Sequence, residues 1–576
     1  MSVDAPTSPF EISATEPVRV GGRPIRRPPG WLGARAAIDG LACLAVAVLL
    51  LRSFLVEGYM ISTGSMAPAL YGYHKRVVCP TCGELFARGV AFDGASAMAD
   101  DDELLGGGRH AVCPNCGQAS IDVSSVPRNH GDQLLVLKNA FEFRDPRRWE
   151  VVVFRNPNHP TQAFVKRIAG LPGERVRVVD GDLYADGEIC RKSFETQRAM
   201  RIPVFDADHA PHDDATWTPR WETTAGWTVA DAGGERIFAW AGTENRAAAS
   251  KDPAHDEPAW LTYRHRYRES GAPAASVRVS NLPLGFTLPE SLDGAPVTFQ
   301  ADAIEPAAGL LTAVGELNAT WERRLRELSA DPEYQRAVAE LADRSRVSPI
   351  IDRYGYNRAL GLTPNAVRDV MLAAHVRLSG QGAFAVELTD GRDRVRVVAE
   401  TASQTLSLVR TATGERLRSA PLPAELLDDG TLVEASMMDR QVLVAVDGTP
   451  VFAAWTYDEP HEIAPPTSSA VRLGATELTA EVRSLVLYRD VYYTSGRATN
   501  GVVSPYKLGR DEFFVLGDNS PVSLDSRSWQ EGALPARLLL GKPFVVHLPS
   551  RPGTIQVGES RQTVRIPDFS RMRYIH

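Results

Sequence analysis

Residues 36–56 limit the architecture more than any other stretch. Their core, 40–51, carries no charge, and Asp39 and Arg52 bracket it. With Phe54, Leu55 and Val56 added, the run reaches roughly 20 residues, the length a helix needs to cross a bilayer. A buried helix of a soluble domain meets the same description. A cleaved leader fits poorly, because a long charged tail precedes the run and Arg52 follows it. That tail, 1–35, is rich in Pro, Gly and Arg without apolar periodicity, and reads as disordered. Arg19, Arg23, Arg26, Arg27 and Arg35 precede the span, which predicts a cytoplasmic N-terminus and an exported remainder. Lys75 and Arg76 on the far side weigh against that orientation.

At 576 residues the chain is too long for one core, so several domains are expected. A net charge of −8 offers no basic surplus for nucleic acid, which is excluded as a partner. Six cysteines in this length are too few for a disulfide scaffold. Four of them form two knuckles, Cys79-Pro80-Thr81-Cys82-Gly83 and Cys113-Pro114-Asn115-Cys116-Gly117. Proline and glycine turn each backbone so that both thiolates face one point. Two such knuckles make a four-sulfur structural zinc site, similar to a zinc ribbon. Two disulfides are the alternative in an oxidising compartment. Cys43 and Cys190 stand apart and read as inert.

The class expected is mainly β. After the tail (1–35) and the transmembrane helix (36–57), residues 58–200 form the first part of a catalytic domain, with the knuckles in an insert at 76–128. The acidic loop at 99–103 reads as solvated. β-branched runs separated by Asn-Pro, Pro-Gly and Asp-Gly turns read as antiparallel strands between 133 and 185. Residues 201–490 change character. Leu317, Trp321, Leu325 and Leu328 share one helix face within a helical segment near 306–345. Hairpins are centred on Asp390-Gly391, Thr413-Gly414 and Asp447-Gly448. This region reads as an inserted β-sandwich, with a faint resemblance of pattern to concanavalin-like jelly rolls. Residues 491–576 return to the catalytic domain.

Ser65, in Thr63-Gly64-Ser65-Met66, follows the span closely, and a serine needs a nearby base to act as a nucleophile. Lys166 stands in Lys166-Arg167-Ile168-Ala169-Gly170-Leu171-Pro172-Gly173. The chain then closes on Gly517-Asp518-Asn519, Ser523 and Asp525-Ser526-Arg527. Together, behind an N-terminal span, these boxes resemble type I signal peptidase, the membrane-anchored Ser–Lys endopeptidase. The resemblance covers the span, 57–75, 130–192 and about 500–548, leaving both inserts outside. It implies Ser65 as nucleophile, Lys166 as general base and Thr63 as the oxyanion hydroxyl beside the Ser65 amide. It further implies Ser523 as the serine that orients the lysine, Asp525 and Arg527 as a supporting ion pair, and Gly131-Asp132 as the start of a substrate-lining strand. Ser62 replaces the family's usual proline, and Thr63 stands where serine is common.

A free lysine has a pKa near 10.4 and is useless as a base until burial disfavours its charge. Phe164, Val165 and Ile168 are the apolar neighbours available for that. The implied function is signal-peptide removal from exported preproteins at the outer face of the cytoplasmic membrane. No cofactor is expected for catalysis, and zinc is expected only structurally. Membrane lipid is an expected partner, and a glycan or surface polymer is the ligand class for the insert. The competing reading is a membrane-anchored glycan- or protein-binding module on an inactive peptidase scaffold.

Overall fold

The computed structural model describes residues 29–90, 109–158, 160–211, 217, 219–224, 226–242, 258–266, 274–283, 285–288, 297–305, 307–314, 317, 319–346, 349–357, 364–457, 467–496, 498–547, 549–557 and 560–575. Arg19, Arg23, Arg26 and Arg27 of the tail and the acidic loop at 99–103 lie outside these residues. The chain divides into two compact units, Met1–Val56 and Glu57–His576.

The first unit carries a single helix, Pro29–Phe54. Its segment Arg35–Phe54 is long and apolar enough to cross a membrane. The helix starts earlier than the expected 36, inside the stretch assigned to the tail. Proline suits a helix's first turn, where an N–H has no intrahelical acceptor. It also stops short of 57, because Val56–Met60 is already a strand. Leu41, Leu44, Leu49 and Phe54 are exposed along the helix.

The second unit is built on an eight-stranded sheet. In order, its path runs through Val56–Met60, Gln133–Leu137, Leu539–His547, Val151–Arg155, Ala163–Gly170, Glu512–Leu516 and Leu534–Pro535, and Arg573–Tyr574 pairs with Leu539–His547. The strand Val151–Arg155 explains why a continuous apolar run, rather than an alternating one, sits here. Side chains alternate between the two faces of a strand. Val151 and Val153 join Ile61, Met66, Leu70, Leu134 and Val136 in one core. Val152 and Phe154 join Ile168, Phe513, Val515 and Trp529 in another. A smaller sheet contains Glu188–Ile189, Asp182–Ala185, Arg175–Val179 and Tyr506–Lys507.

Between 202 and 489 lie a nine-stranded and a seven-stranded sheet. They close on one large core that includes Trp240, Tyr263, Val370, Leu388, Leu408 and Leu487. The three hairpins form where the Asp-Gly and Thr-Gly turns placed them: 383–389 with 394–400, 405–410 with 415–421, and 441–446 with 449–450. The helical patch differs from expectation. Helices Ala319–Arg326 and Pro332–Arg346 pack with a three-stranded sheet of their own around Leu311, Leu325, Tyr334 and Leu341. This is a small core separate from that of the sandwich.

Candidate active site

The register sets the lysine. Lys166 pairs with Val152 across antiparallel strands, so both side chains leave the same face. Phe164 and Ile168, two residues to either side, share that face, and Phe164 lies 5.8 Å from the Lys166 amine. Val165 points to the opposite core instead, since strand neighbours alternate. Lys166 is 2% exposed. Burial pushes its pKa down to about 8, partly opposed by Asp525 and Asp518 and reinforced by Arg527. Its Nζ meets Ser65 Oγ in a close hydrogen bond. Thr63 Oγ1 lies 3.5 Å from the same hydroxyl.

The loop that carries Ser65 is held from several sides. The Asn519 amide N–H donates to Ser65 O at 3.0 Å, and its side chain donates to Gly64 O at 2.9 Å. Gly517 lies against this loop: a Cβ there would stand 2.5 Å from Ser65 O and 2.3 Å from Ser523 Oγ, so only glycine fits. Gly131 is equally confined, its would-be Cβ 1.8 Å from Ile61 O. Asp132 follows it and fastens the loop, since the Ile61 amide donates to Asp132 O and the Tyr71 amide to Asp132 Oδ2, both at 2.9 Å.

Two buried ion pairs stand behind the dyad. Arg167 clamps Asp518 with both prongs at 2.9 and 2.7 Å. Arg527 clamps Asp525 at 2.9 and 2.8 Å, and Asp525 Oδ2 accepts from the Gly517 amide at 3.1 Å. Arg527 holds the Asp525 carboxyl below its usual range against the upward push of burial. Ser523 Oγ is buried beside Asp525 and Gly517, and among the described residues no hydrogen bond joins it to Lys166.

Sequence reasoning missed a strap from the large insert. Tyr354 donates to Asp518 O at 2.9 Å, and Tyr356 donates to Tyr73 O at 2.9 Å and packs against Gly64. Asn357 and Asn519 exchange side-chain hydrogen bonds at 2.7 Å. Arg167 as the partner of Asp518 was missed as well. For the strap, the only local signal is an aromatic cluster broken by glycine, Tyr354-Gly355-Tyr356, in an otherwise polar stretch.

The two knuckles meet as expected. Cys79, Cys82, Cys113 and Cys116 are buried, and their sulfurs all lie within 4.8 Å of one another. Cys79 to Cys116 is 3.6 Å and Cys82 to Cys113 is 3.7 Å. These are free thiols, not the alternative disulfides. Tetrahedral zinc with bonds of about 2.3 Å sets its sulfurs about 3.8 Å apart, so the donor set and its size fit zinc. In each knuckle the glycine amide donates to the first cysteine's carbonyl at 3.0 Å, which repeats one turn twice. Burial pushes the isolated Cys190 thiol up to about 11, which keeps it unreactive.

Fold and geometry together define a class of site: a serine hydroxyl joined to a dry amine, on a loop that other strands clamp. Such an arrangement can move a proton from oxygen to nitrogen as the oxygen attacks a carbonyl. The family described as "Signal peptidase, peptidase S26" matches residues 117–230 and 444–548. A probable signal peptidase I-2 of Synechocystis is 41% identical over 69 residues, covering 11% of this chain and 31% of its own. Signal peptidase I of Pseudomonas aeruginosa is 29% identical over 143 residues, covering 25% of this chain and 34% of its own. Over these stretches the chain is similar to type I signal peptidases. It spans about a third of the length of the curated relatives it matches. Among solved structures, the carbohydrate-binding module CBM66 of Bacillus subtilis is 10% identical with a TM-score of 0.14, covering 21% of this chain and 72% of its own. That score is too low to assign a fold.

Proposed function

We propose that this protein is a membrane-anchored serine endopeptidase that removes signal peptides from exported preproteins, with Ser65 as nucleophile and Lys166 as base. The observation that carries it is the buried Lys166 amine hydrogen-bonded to Ser65 Oγ. Ser65 would attack the scissile carbonyl while Lys166 takes its proton and passes it to the leaving amine. Thr63 and the Ser65 amide would hold the oxyanion, each such donor being worth roughly 3 kcal/mol. Water, activated by the same lysine, would release the acyl-enzyme.

Strand pairing supports an extended substrate. Among the described residues, Glu512–Leu516 pairs with Ala163–Gly170 only from Arg167 onward, which leaves the edge at 163–166 open beside the lysine. An added peptide strand there would gain main-chain hydrogen bonds. The Gln133–Leu137 strand offers no such edge, being flanked on both sides. Anchoring rests on the helix Arg35–Phe54 and its exposed leucines, with the N-terminus cytoplasmic and the site on the exported side. The competing reading, a binding module on a dead scaffold, has no need of this dyad.

The test is preprotein cleavage in lipid or detergent by the full chain and its Ser65→Ala variant. Cleavage by the first and none by the second is expected. Equal processing by both would reject the proposal.

The four-cysteine cluster is proposed to hold one zinc ion as a structural centre, since its sulfurs have no open position to offer chemistry. Cys79→Ser and Cys113→Ser are each expected to abolish stoichiometric zinc in elemental analysis and to lower the melting temperature by several degrees, because metal binding is folding energy. Metal-free wild type with an unchanged melting temperature would contradict this.

A further inference from the structure

The peptide unit between Gly64 and Ser65 contains the Gly64 carbonyl and the Ser65 N–H, the proposed oxyanion donor. A peptide unit is planar, so whatever holds its carbonyl also aims its N–H. The Asn519 side-chain nitrogen donates to Gly64 O at 2.9 Å. The Asn519 backbone N–H donates to Ser65 O at 3.0 Å and fixes the next peptide unit. One residue therefore holds the backbone on both sides of Ser65.

Asn519 does not orient its own amide. It is fully buried, and its side chain presents an oxygen and a nitrogen of nearly the same shape. A carbonyl only accepts, so the nitrogen has to face Gly64 and the oxygen has to find a donor. Asn357, from the large insert, is that donor: its Nδ2 donates to Asn519 Oδ1 at 2.7 Å, and its Oδ1 accepts from Asn519 Nδ2 at 2.7 Å. Turned over, Asn519 would set its oxygen against Gly64 O. The pair thus selects the one orientation that holds the Gly64–Ser65 peptide.

Asn357 sits on a turn fastened at several points. Its amide donates to Tyr354 O at 3.1 Å, and the Gly89 amide donates to Tyr356 O at 2.9 Å. Tyr354 and Tyr356 donate their hydroxyls to Asp518 O and Tyr73 O, both at 2.9 Å. The Tyr356 ring stacks on Tyr71, of the same loop as Ser65, with centroids 5.7 Å apart. Buried Arg489, the last residue of the sandwich strand Thr479–Arg489, donates to Arg353 O at 2.9 Å. The insert's own framework therefore carries Asn357 to the site.

We propose that Asn357 is a positioning residue for the reaction at Ser65: through Asn519 it fixes the peptide plane whose N–H receives the oxyanion. This rests on the peptidase reading. It makes the insert a working part of the active site rather than an appendage. A hydrogen bond accepted by Gly64 O also polarises the same peptide and strengthens its N–H as a donor.

The test compares the full chain in detergent with Asn357→Ala, Asn357→Asp, Asn519→Ala, the Asn357→Ala/Asn519→Ala double variant and the Ser65→Ala control. Steady-state cleavage of a purified preprotein and hydrogen exchange read by mass spectrometry are measured on each. Outright loss of an oxyanion donor costs about 10²–10³ in kcat, so a donor present but misaimed should cost about 30-fold or more. That fall is expected in kcat for Asn357→Ala with KM changed less than about threefold, because the interaction acts in the transition state. Asn519→Ala should cost at least as much, and the double variant no more than Asn519→Ala, since Asn357 acts through Asn519. Asn357→Asp has the same size and keeps the acceptor but loses the donor. It should fall as Asn357→Ala does, whereas a space-filling role would spare it, and it carries the test if Asn357→Ala fails to fold. Exchange across 62–66 should quicken about tenfold in either Asn357 variant, with the sandwich strand Val370–Ser379 unaltered. A wild type without Ser65-dependent cleavage would reject the peptidase reading and this inference with it. With an active wild type, unchanged kcat in folded Asn357 variants, additive losses in the double variant, a rise in KM at constant kcat, or unaltered exchange across 62–66 would overturn this inference alone.

Discussion

Lys166→Met is expected to lower kcat/KM for preprotein cleavage by about 10⁴-fold or more, without lowering the melting temperature. Methionine matches the length and apolar body of lysine but cannot accept a proton. The fold should tolerate it, because Lys166 is buried among Val152, Phe164 and Ile168 and forms no ion pair among the described residues. Replacing a buried ionisable group by an apolar one of similar volume is often neutral or stabilising. Ser65→Ala should cost about as much, and the double variant little more, since members of a catalytic unit act non-additively. Single-turnover cleavage of a purified preprotein, with melting curves on the same samples, reads both quantities. Ordinary cleavage by Lys166→Met would require another base, and no other lysine or histidine is hydrogen-bonded to Ser65 among the described residues.

Arg167→Met should destabilise the second unit by about 3–5 kcal/mol, the usual cost of stranding one partner of a buried ion pair. Arg167 and Asp518 are 3% and 1% exposed and joined by two hydrogen bonds. Without the guanidinium, the Asp518 carboxylate has no other cation bonded to it among the described residues, although Tyr354 still donates to its backbone carbonyl. Asp518 adjoins Gly517 and Asn519, which touch the Ser65 loop, so activity should fall along with stability. Arg167→Met combined with Asp518→Asn should recover part of the loss, because the uncompensated charge disappears. Chemical denaturation of the four corners of this cycle measures the coupling. A loss below about 1 kcal/mol in the single variant would show the pair to be dispensable.

The residues proposed to do the chemistry were legible because each stands in a short local motif. Thr63-Gly64-Ser65-Met66, the lysine box and the two knuckles are local patterns, and so are the Asp-Gly hairpins. What sequence could not show depends on distant partners. The Asn519 side chain reaches Gly64 across 455 residues, and Asn357 reaches Asn519 across 162. No local periodicity encodes such a meeting. The strap 354–357 comes from an insert that pattern alone set apart from the 58–200 and 491–576 segments, yet it packs on the Ser65 loop. Val165 was misplaced for a simpler reason: proximity in sequence was taken as proximity in space, whereas a strand sends adjacent side chains to opposite faces. The separate helical core at 274–346 was hidden because its strands carry no tight-turn signal and its helices are largely polar outside one stripe.

The whole account depends on the amine of Lys166 being mostly uncharged in weakly alkaline solution. Burial is what lowers its pKa from 10.5 to about 8, so the base form, and with it the activity, should grow as pH rises through that value. The direct measurement is a pH titration of the Lys166 side-chain resonance by NMR, with ¹⁵N-lysine label in the Ser65→Ala chain and Lys166→Met to assign the signal. A midpoint near 8, well below the bulk lysines, is the expected result. A midpoint above 10, together with the other lysines, would contradict the account.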